Sequence, residues 1–335
     1  MSRKSALILS LALLATATLP SLAQDSSEHL VVYSGRSEGL IAPLLEQFVT
    51  ETGITVDVRY GSTAEMAATI LEEGENSPAD LFIAQDAGAL GALAAAGRLL
   101  PLPSDILERV PAAYRSPQNL WIGLSGRARV LAYNTTLVNE ATLPASILDL
   151  ASEAWAGRVG WAPTNGSFQA HITALRVLLG DDATRNWLAA MQANRTVAYD
   201  NNRAVLQAVI DGEIAAGLIN HYYLYPFLDV NPALPVRLYY FPEGDAGSLI
   251  NVAGVGIVNT THQPGLSQRL ILYLLGRSAQ QYFATATYEY PLVDGVDPDP
   301  RLTPLNLIAA PVIDLSDLAD LQTTLDMLAE TGVLP

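Results

Sequence analysis

Leu30-Val31-Val32-Tyr33-Ser34-Gly35-Arg36-Ser37 is followed at helical spacing by Leu40, Ile41, Leu44, Leu45 and Phe48, and this stretch decides the fold. An apolar run of strand length, a small polar turn and an amphipathic helix open a βαβ unit. Next, Ile54-Thr55-Val56-Asp57-Val58-Arg59-Tyr60 alternates apolar and polar residues as a second strand. Ser62-Thr63-Ala64-Glu65 has the capping-box pattern that starts a helix. Leu81-Phe82-Ile83-Ala84 reads as a third strand and the alanine-rich 87–97 as a third helix. Strand and helix alternate at βαβ spacing, which predicts a parallel, doubly wound α/β sheet.

A strand is expected at Val130-Leu131-Ala132-Tyr133, and a second α/β block starts at Val159-Gly160-Trp161. It continues through helices near 171–179 and 183–192, a strand at 196–199, a helix over 202–210 and a strand at 215–219. The last helix is expected over 317–331, with Leu318, Leu321, Leu325 and Leu328 in one stripe. Two such blocks without a flexible linker predict two lobes and a chain that crosses between them. The expected division is 29–128 with 255–303 for one lobe, and 129–254 with 304–335 for the other. Extended crossings near 126–133 and 251–259 would serve as hinges. Both sets of strand ends would then face one cleft, where open α/β sheets place ligands.

The start of the chain carries Arg3 and Lys4, an apolar run over 6–14, and Ser21-Leu22-Ala23. This is the layout of a cleavable secretory signal over 1–23, with an apolar run shorter than the roughly 20 residues of a spanning helix. The expected location is the periplasm. The 335 residues, half of them apolar, suffice for more than one core. There is no cysteine, so disulfides, thiolate metal sites and thiol nucleophiles are all excluded. The formal charge of −16, two units more negative once Arg3 and Lys4 are removed, argues against nucleic acid or anionic lipid as a partner.

The most informative local feature is Asn220-His221-Tyr222-Tyr223-Leu224-Tyr225, directly after the strand that ends at Ile219. Side chains of neighbouring strand residues point to opposite faces. Tyr222 and Tyr223 therefore share a ligand only if the backbone turns there. Phenolate is a hard anionic oxygen donor, and a trivalent cation displaces the phenol proton despite a pKa near 10. Two tyrosinates favour Fe(III); an aromatic packing cluster is the competing reading, with His221 as a further candidate ligand. Arg36, Gln85, Asp86, Thr164-Asn165-Gly166-Ser167, Asn201 and Asn202 also fall at strand ends and helix starts, placements suited to a small oxyanion. His171 reads as structural. Gly254-Val255-Gly256 lacks the context of a dinucleotide loop, and no phosphate-loop or His-Glu-x-x-His motif occurs.

These blocks together resemble the ferric-ion-binding periplasmic proteins of bacterial ABC transporters. The resemblance is carried by Val32-Tyr33-Ser34-Gly35-Arg36, Ser77-Pro78-Ala79-Asp80-Leu81-Phe82, Leu124-Ser125-Gly126-Arg127-Ala128-Arg129, Ala162-Pro163-Thr164-Asn165-Gly166-Ser167-Phe168, Leu218-Ile219-Asn220-His221-Tyr222-Tyr223 and Glu289-Tyr290-Pro291-Leu292. It implies a two-lobe binding-protein fold of type II that captures Fe(III) with a carbonate-like anion, and a membrane permease as partner. It implies Tyr222 and Tyr223 as metal ligands, Asn165, Gly166, Ser167, Asn202 and Asn220 as anion-holding positions, and Arg36 as the arginine that grips carbonate. A monomer without enzymatic activity is expected. The chain departs from the pattern at Ser37, Gln85 and Asn165, where members place a histidine, a glutamate or a third tyrosine. Tyr60 is a candidate substitute ligand, and Ser37, Gln85 and Arg127 are candidate cleft residues. A binding protein for a small organic anion or iron chelate, with Arg36 and Arg127 as clamps, is the alternative in the same class. A secreted hydrolase with two facing carboxylates is the alternative from another.

Overall fold

The computed structural model describes residues 28–334, so the expected signal over 1–23 lies outside them. The first block follows the sequence pattern closely: β1 His29–Ser34, α1 Glu38–Thr52, β2 Thr55–Tyr60, α2 Thr63–Glu73, β3 Leu81–Ala84 and α3 Ala87–Ala95. β1 pairs in parallel with β2 and β3. The helix face expected from spacing is the buried one, with Ile41, Leu44, Leu45 and Phe48 against the sheet. α2 starts on a complete capping box: the Glu65 amide donates to the Ser62 hydroxyl at 3.1 Å, and the Ser62 amide to the Glu65 carboxylate at 3.3 Å.

After the short α4 (Ser104–Leu107) comes β4 (Ile122–Asn134), a thirteen-residue strand that is buried throughout. The second block contains β5 Val159–Trp161, α5 Gly166–Leu179, α6 Asp181–Ala193, β6 Val197–Ala198, α7 Asn202–Asp211 and β7 Ala216–Asn220. Beyond it lie α8 Tyr225–Val230, β8 Val236–Tyr239, β9 Ile250–Ile257, α9 Pro264–Leu274, α10 Arg277–Thr285, β10 Tyr290–Pro291 and α11 Leu321–Glu330. The main sheet order is β2-β1-β3-β9-β4-β7-β5-β6.

The outer strands are parallel, as the alternation predicts. The centre is not: β9 runs antiparallel to β3 and β4, and β4 antiparallel to β7. The cause is connectivity, because β4 leaves the first block and β9 returns to it. β4 changes partner in mid-strand. It pairs with β9 as far as Ala128↔Ile250, and with β7 from Arg129↔Asn220 onward.

The apolar cores divide accordingly. One packs α1, α3 and α9 around β1, β3 and β9; two others flank the second block, centred on Trp161, Phe168 and Leu188 on one side and on Val205, Val209 and Ile219 on the other. The C-terminal segment differs from expectation. Instead of one helix over 317–331, a 3₁₀ turn at Leu315–Ala319 and α11 are separated by Asp320, at φ −81° and ψ 65°. Leu315 and Leu318 belong to the first core, whereas Met327 and Leu328 belong to the second block. A straight helix could not serve both surfaces.

Gly217 fixes how closely α7 approaches β7, since a Cβ there would lie 2.3 Å from Val205 Cγ1. Gly217→Ala is therefore expected to cost about 1–3 kcal/mol by overpacking. A lower urea midpoint at an unchanged m-value would register it.

Candidate metal centre

β7 brings the tyrosine pair to the cleft. Its five residues are buried, and Asn220, still extended at φ −84° and ψ 145°, passes directly into a 3₁₀ turn at His221–Tyr223. The turn ends the strand alternation, so the Tyr222 and Tyr223 rings lie side by side with centroids 4.5 Å apart. The Tyr222 hydroxyl accepts from Gln85 Nε2 at 3.1 Å and from Asn220 Nδ2 at 3.3 Å. The first contact joins the end of β3 to the end of β7 across the cleft. Burial, reinforced by the adjacent Tyr222 hydroxyl, pushes the Tyr223 phenol well above its usual range, against a smaller opposing effect of Asn202 and Arg127.

His221 is not available as a ligand. Its Nδ1 accepts the Ala128 amide at 3.1 Å, its Nε2 meets the Tyr288 carbonyl at 2.9 Å, and its ring stacks on Tyr290. Those partners place the proton on Nε2, and burial lowers the pKa to about 4. His171 is structural, as its apolar helix suggests: it bridges the Ala246 carbonyl and the guanidinium of Arg129.

Around the pair stands a shell of amides and hydroxyls at helix starts. Asn165 caps α5 by accepting from the Ser167 amide at 3.0 Å, and it also accepts from Asn202 Nδ2 at 3.1 Å. Gly166 faces the opposite side of the cleft, with its Cβ direction 3.3 Å from Asp86 Oδ2. Asn220 Oδ1 accepts from Arg129 Nη1 at 3.1 Å, so a chain of polar contacts runs from Tyr222 through Asn220 and Arg129 to His171. Among the described residues, fourteen buried side-chain polar atoms have no partner, and half belong to Arg36, Gln85, Arg127, Arg129, Ser167 and Asn202. Unsatisfied groups so concentrated mark a site that recognises a polar ligand.

Residues 76–307 match the family described as bacterial extracellular solute-binding protein. The chain belongs to that family. This solute-binding protein is 33% identical, over 93% of each chain, to an Fe(3+)-binding periplasmic protein of Serratia marcescens. Among solved structures, iron-bound HitA from Pseudomonas aeruginosa matches with a TM-score of 0.86 at 32% identity, over 91% of this chain and 99% of that one. A Trichodesmium protein (IdiA, FutA) in complex with iron and citrate matches with a TM-score of 0.77 at 29% identity, over 91% and 99% of the two chains. The solute-binding protein has the two-lobe type II fold of these relatives.

The positively charged part of its site is arranged differently from the simplest sequence reading. Arg36 is engaged through both terminal nitrogens by Glu289, with Nη1 and Nη2 at 3.0 and 2.7 Å from the two carboxylate oxygens and neither side chain exposed, which leaves only Nε without a partner. Burial alone would raise the Glu289 carboxyl, but the charge and hydrogen bonds of Arg36 outweigh it and hold it below the usual carboxylate range. Arg127 is equally buried without such a partner, and burial pulls Arg129 down to about 9. Asp86 caps α3 through Oδ1 and is raised by burial. Ser37 is exposed ahead of α1, and Tyr60, at the end of β2, sits beside Glu38 and Glu46 of α1. Sequence reasoning counted Asp86 among placements suited to an oxyanion, whereas it caps α3, and it assigned no role to Glu289 or Arg129. The repeated arginine in Arg127-Ala128-Arg129, on a strand otherwise free of charge, is the signal that could have found Arg129.

Removing one partner of a fully buried ion pair leaves the other unpaired, so Glu289→Gln is expected to destabilise the fold by about 3–5 kcal/mol. The Glu289 contribution is present above the unfolded-state carboxylate pKa and is lost as pH falls through its depressed folded value. The variant should therefore show a shallower acid branch below about pH 4.5 than the wild type in denaturation measured against pH.

Proposed function

We propose that this protein captures ferric iron in the cleft between its lobes, with Tyr222 and Tyr223 as the two protein ligands and a small oxyanion such as carbonate completing the sphere. The proximity of the two phenol groups, brought together by the turn at His221–Tyr223 among inward-facing amides, carries this reading. Asn165, Gly166, Ser167, Asn202 and Asn220 hold the anion. Residues 29–128 with 255–303 form one lobe and 129–254 with 304–335 the other, with 315–319 lying against the first. The relatives, a periplasmic Fe(3+)-binding protein and an iron-bound HitA, support the assignment of cargo and of the periplasm after removal of 1–23. Delivery to an ABC transporter permease by a monomer fits the family.

Ferric iron with two phenolates leaves about one positive charge for the anion to balance. Both phenols must ionise on loading, and the raised Tyr223 makes that step sensitive to acid. The Trichodesmium relative holding iron and citrate favours a second reading of the anion as a polycarboxylate. A hydrolase is disfavoured: the buried carboxylates among the described residues are committed, Glu289 to Arg36, Asp86 to the start of α3 and Asp80 to the Val31 amide.

Titration of the apo-protein with ferric iron and bicarbonate is expected to develop a visible tyrosinate-to-iron charge-transfer band, which Tyr222→Phe with Tyr223→Phe abolishes. Each single variant should lose more affinity than the roughly 10–100-fold typical of an outer-sphere partner. A colourless wild-type protein refutes the reading. Below pH 8, with bicarbonate bound as carbonate, the logarithm of the iron affinity is expected to rise with pH at a slope of about 3, one proton from each phenol and one from the bicarbonate. Competition titrations against a chelator of known proton dependence measure that slope.

A further inference from the structure

Arg36 follows the first strand at the position the family resemblance associates with gripping the anion, but its guanidinium is committed to Glu289 by two short hydrogen bonds. Arg127 lies on β4, one residue before the Ala128–Arg129 step at which that strand changes partner. It is 1% exposed, and among the described residues its one side-chain hydrogen bond is a 3.5 Å approach of Nη2 to the Val252 carbonyl, while Nε and Nη1 have no partner. Among the described residues no carboxylate is ion-paired with it; Asp86, Glu289 and Tyr222 act on it only through space. A buried guanidinium without matched acceptors is expensive to keep, so its free N–H groups call for an anion from outside the fold.

We propose that Arg127, rather than Arg36, is the residue that grips the anion accompanying the metal, and that the ligand is a planar oxyanion: carbonate, or one carboxylate of an iron chelate. The proposal rests on the iron reading above. The surroundings fit it. Ser167 Oγ and Asn202 Oδ1, two of the shell residues already named, are also buried and without partners. The Ala128 amide, next to Arg127 in the chain, reaches His221 Nδ1 at 3.1 Å, which sets Arg127 beside the turn that carries Tyr222 and Tyr223. A guanidinium presents several N–H groups in one plane and matches a planar oxyanion better than an ammonium does. Glu289 has a second role in this arrangement: by occupying Arg36 it leaves one free guanidinium in the cleft instead of two that repel each other.

The experiment follows the charge-transfer band at fixed ferric iron while bicarbonate, and in a parallel arm citrate, is varied. In Arg127→Gln the half-saturating anion concentration is expected to rise roughly 10- to 100-fold, as for a lost hydrogen bond to a charged group, with the band still reporting two tyrosinates. The arm that shows the shift identifies the anion. Arg127→Lys keeps the charge without the planar fork and should shift in the same direction by less, which carries the test if Arg127→Gln does not fold. Wild-type anion dependence in a folded Arg127 variant that still develops the band overturns this assignment alone. A wild-type protein without any band overturns the iron reading and the assignment with it.

Discussion

Burying a guanidinium is costly unless its hydrogen bonds are met, and this protein buries three of them, Arg36, Arg127 and Arg129, where its two blocks join. Each is handled differently. Arg36 has a full carboxylate partner in Glu289. Arg129 shares its N–H groups between His171 and Asn220, which makes it part of the scaffold that orients Tyr222. Arg36 and Arg129 each keep one unpartnered nitrogen, whereas Arg127 keeps two and has only a 3.5 Å contact to the Val252 carbonyl. The position of Arg127 and Arg129 depends on β4, whose first half pairs with β9 and whose second half pairs with β7. Much of the architecture can be understood as the surroundings needed to keep that strand buried and its arginines dry.

The first block was legible in the sequence because its information is local. Strand alternation, a capping box and a helical stripe are set by residues within a turn or two of one another, and β1 to α3 follow them closely. The antiparallel centre was not, because whether β4 and β9 run against each other depends on which block each one leaves. The C-terminal leucine stripe misled for a related reason. Its period fits one helix, but its residues are divided between two cores, and the break at Asp320 reflects that competition.

At the site, residue types were readable and partnerships were not. The tyrosine pair was visible as a motif, and the need for a turn followed from strand geometry. Arg36 looked like a free anion grip because its partner, Glu289, is 253 residues away in the chain. Gln85, singled out because it replaces an acidic ligand, instead donates to the phenol oxygen from the far side of the cleft. His221, adjacent to the tyrosines, is consumed by backbone groups that no local pattern could announce.

The divided C-terminal segment bears on mechanics. β4 and β9 alone would form a two-stranded joint, free to twist as well as bend. Residues 315–319 attach to the first core and α11 to the second block, with Asp320 between them. This adds a strut away from the strand pair. A joint braced at a distance from its axis resists torsion and keeps one easy direction of rotation. In the capture proposed above, the two walls of the cleft would then meet in the same register at every closure, with Gln85 returned to the same phenol oxygen.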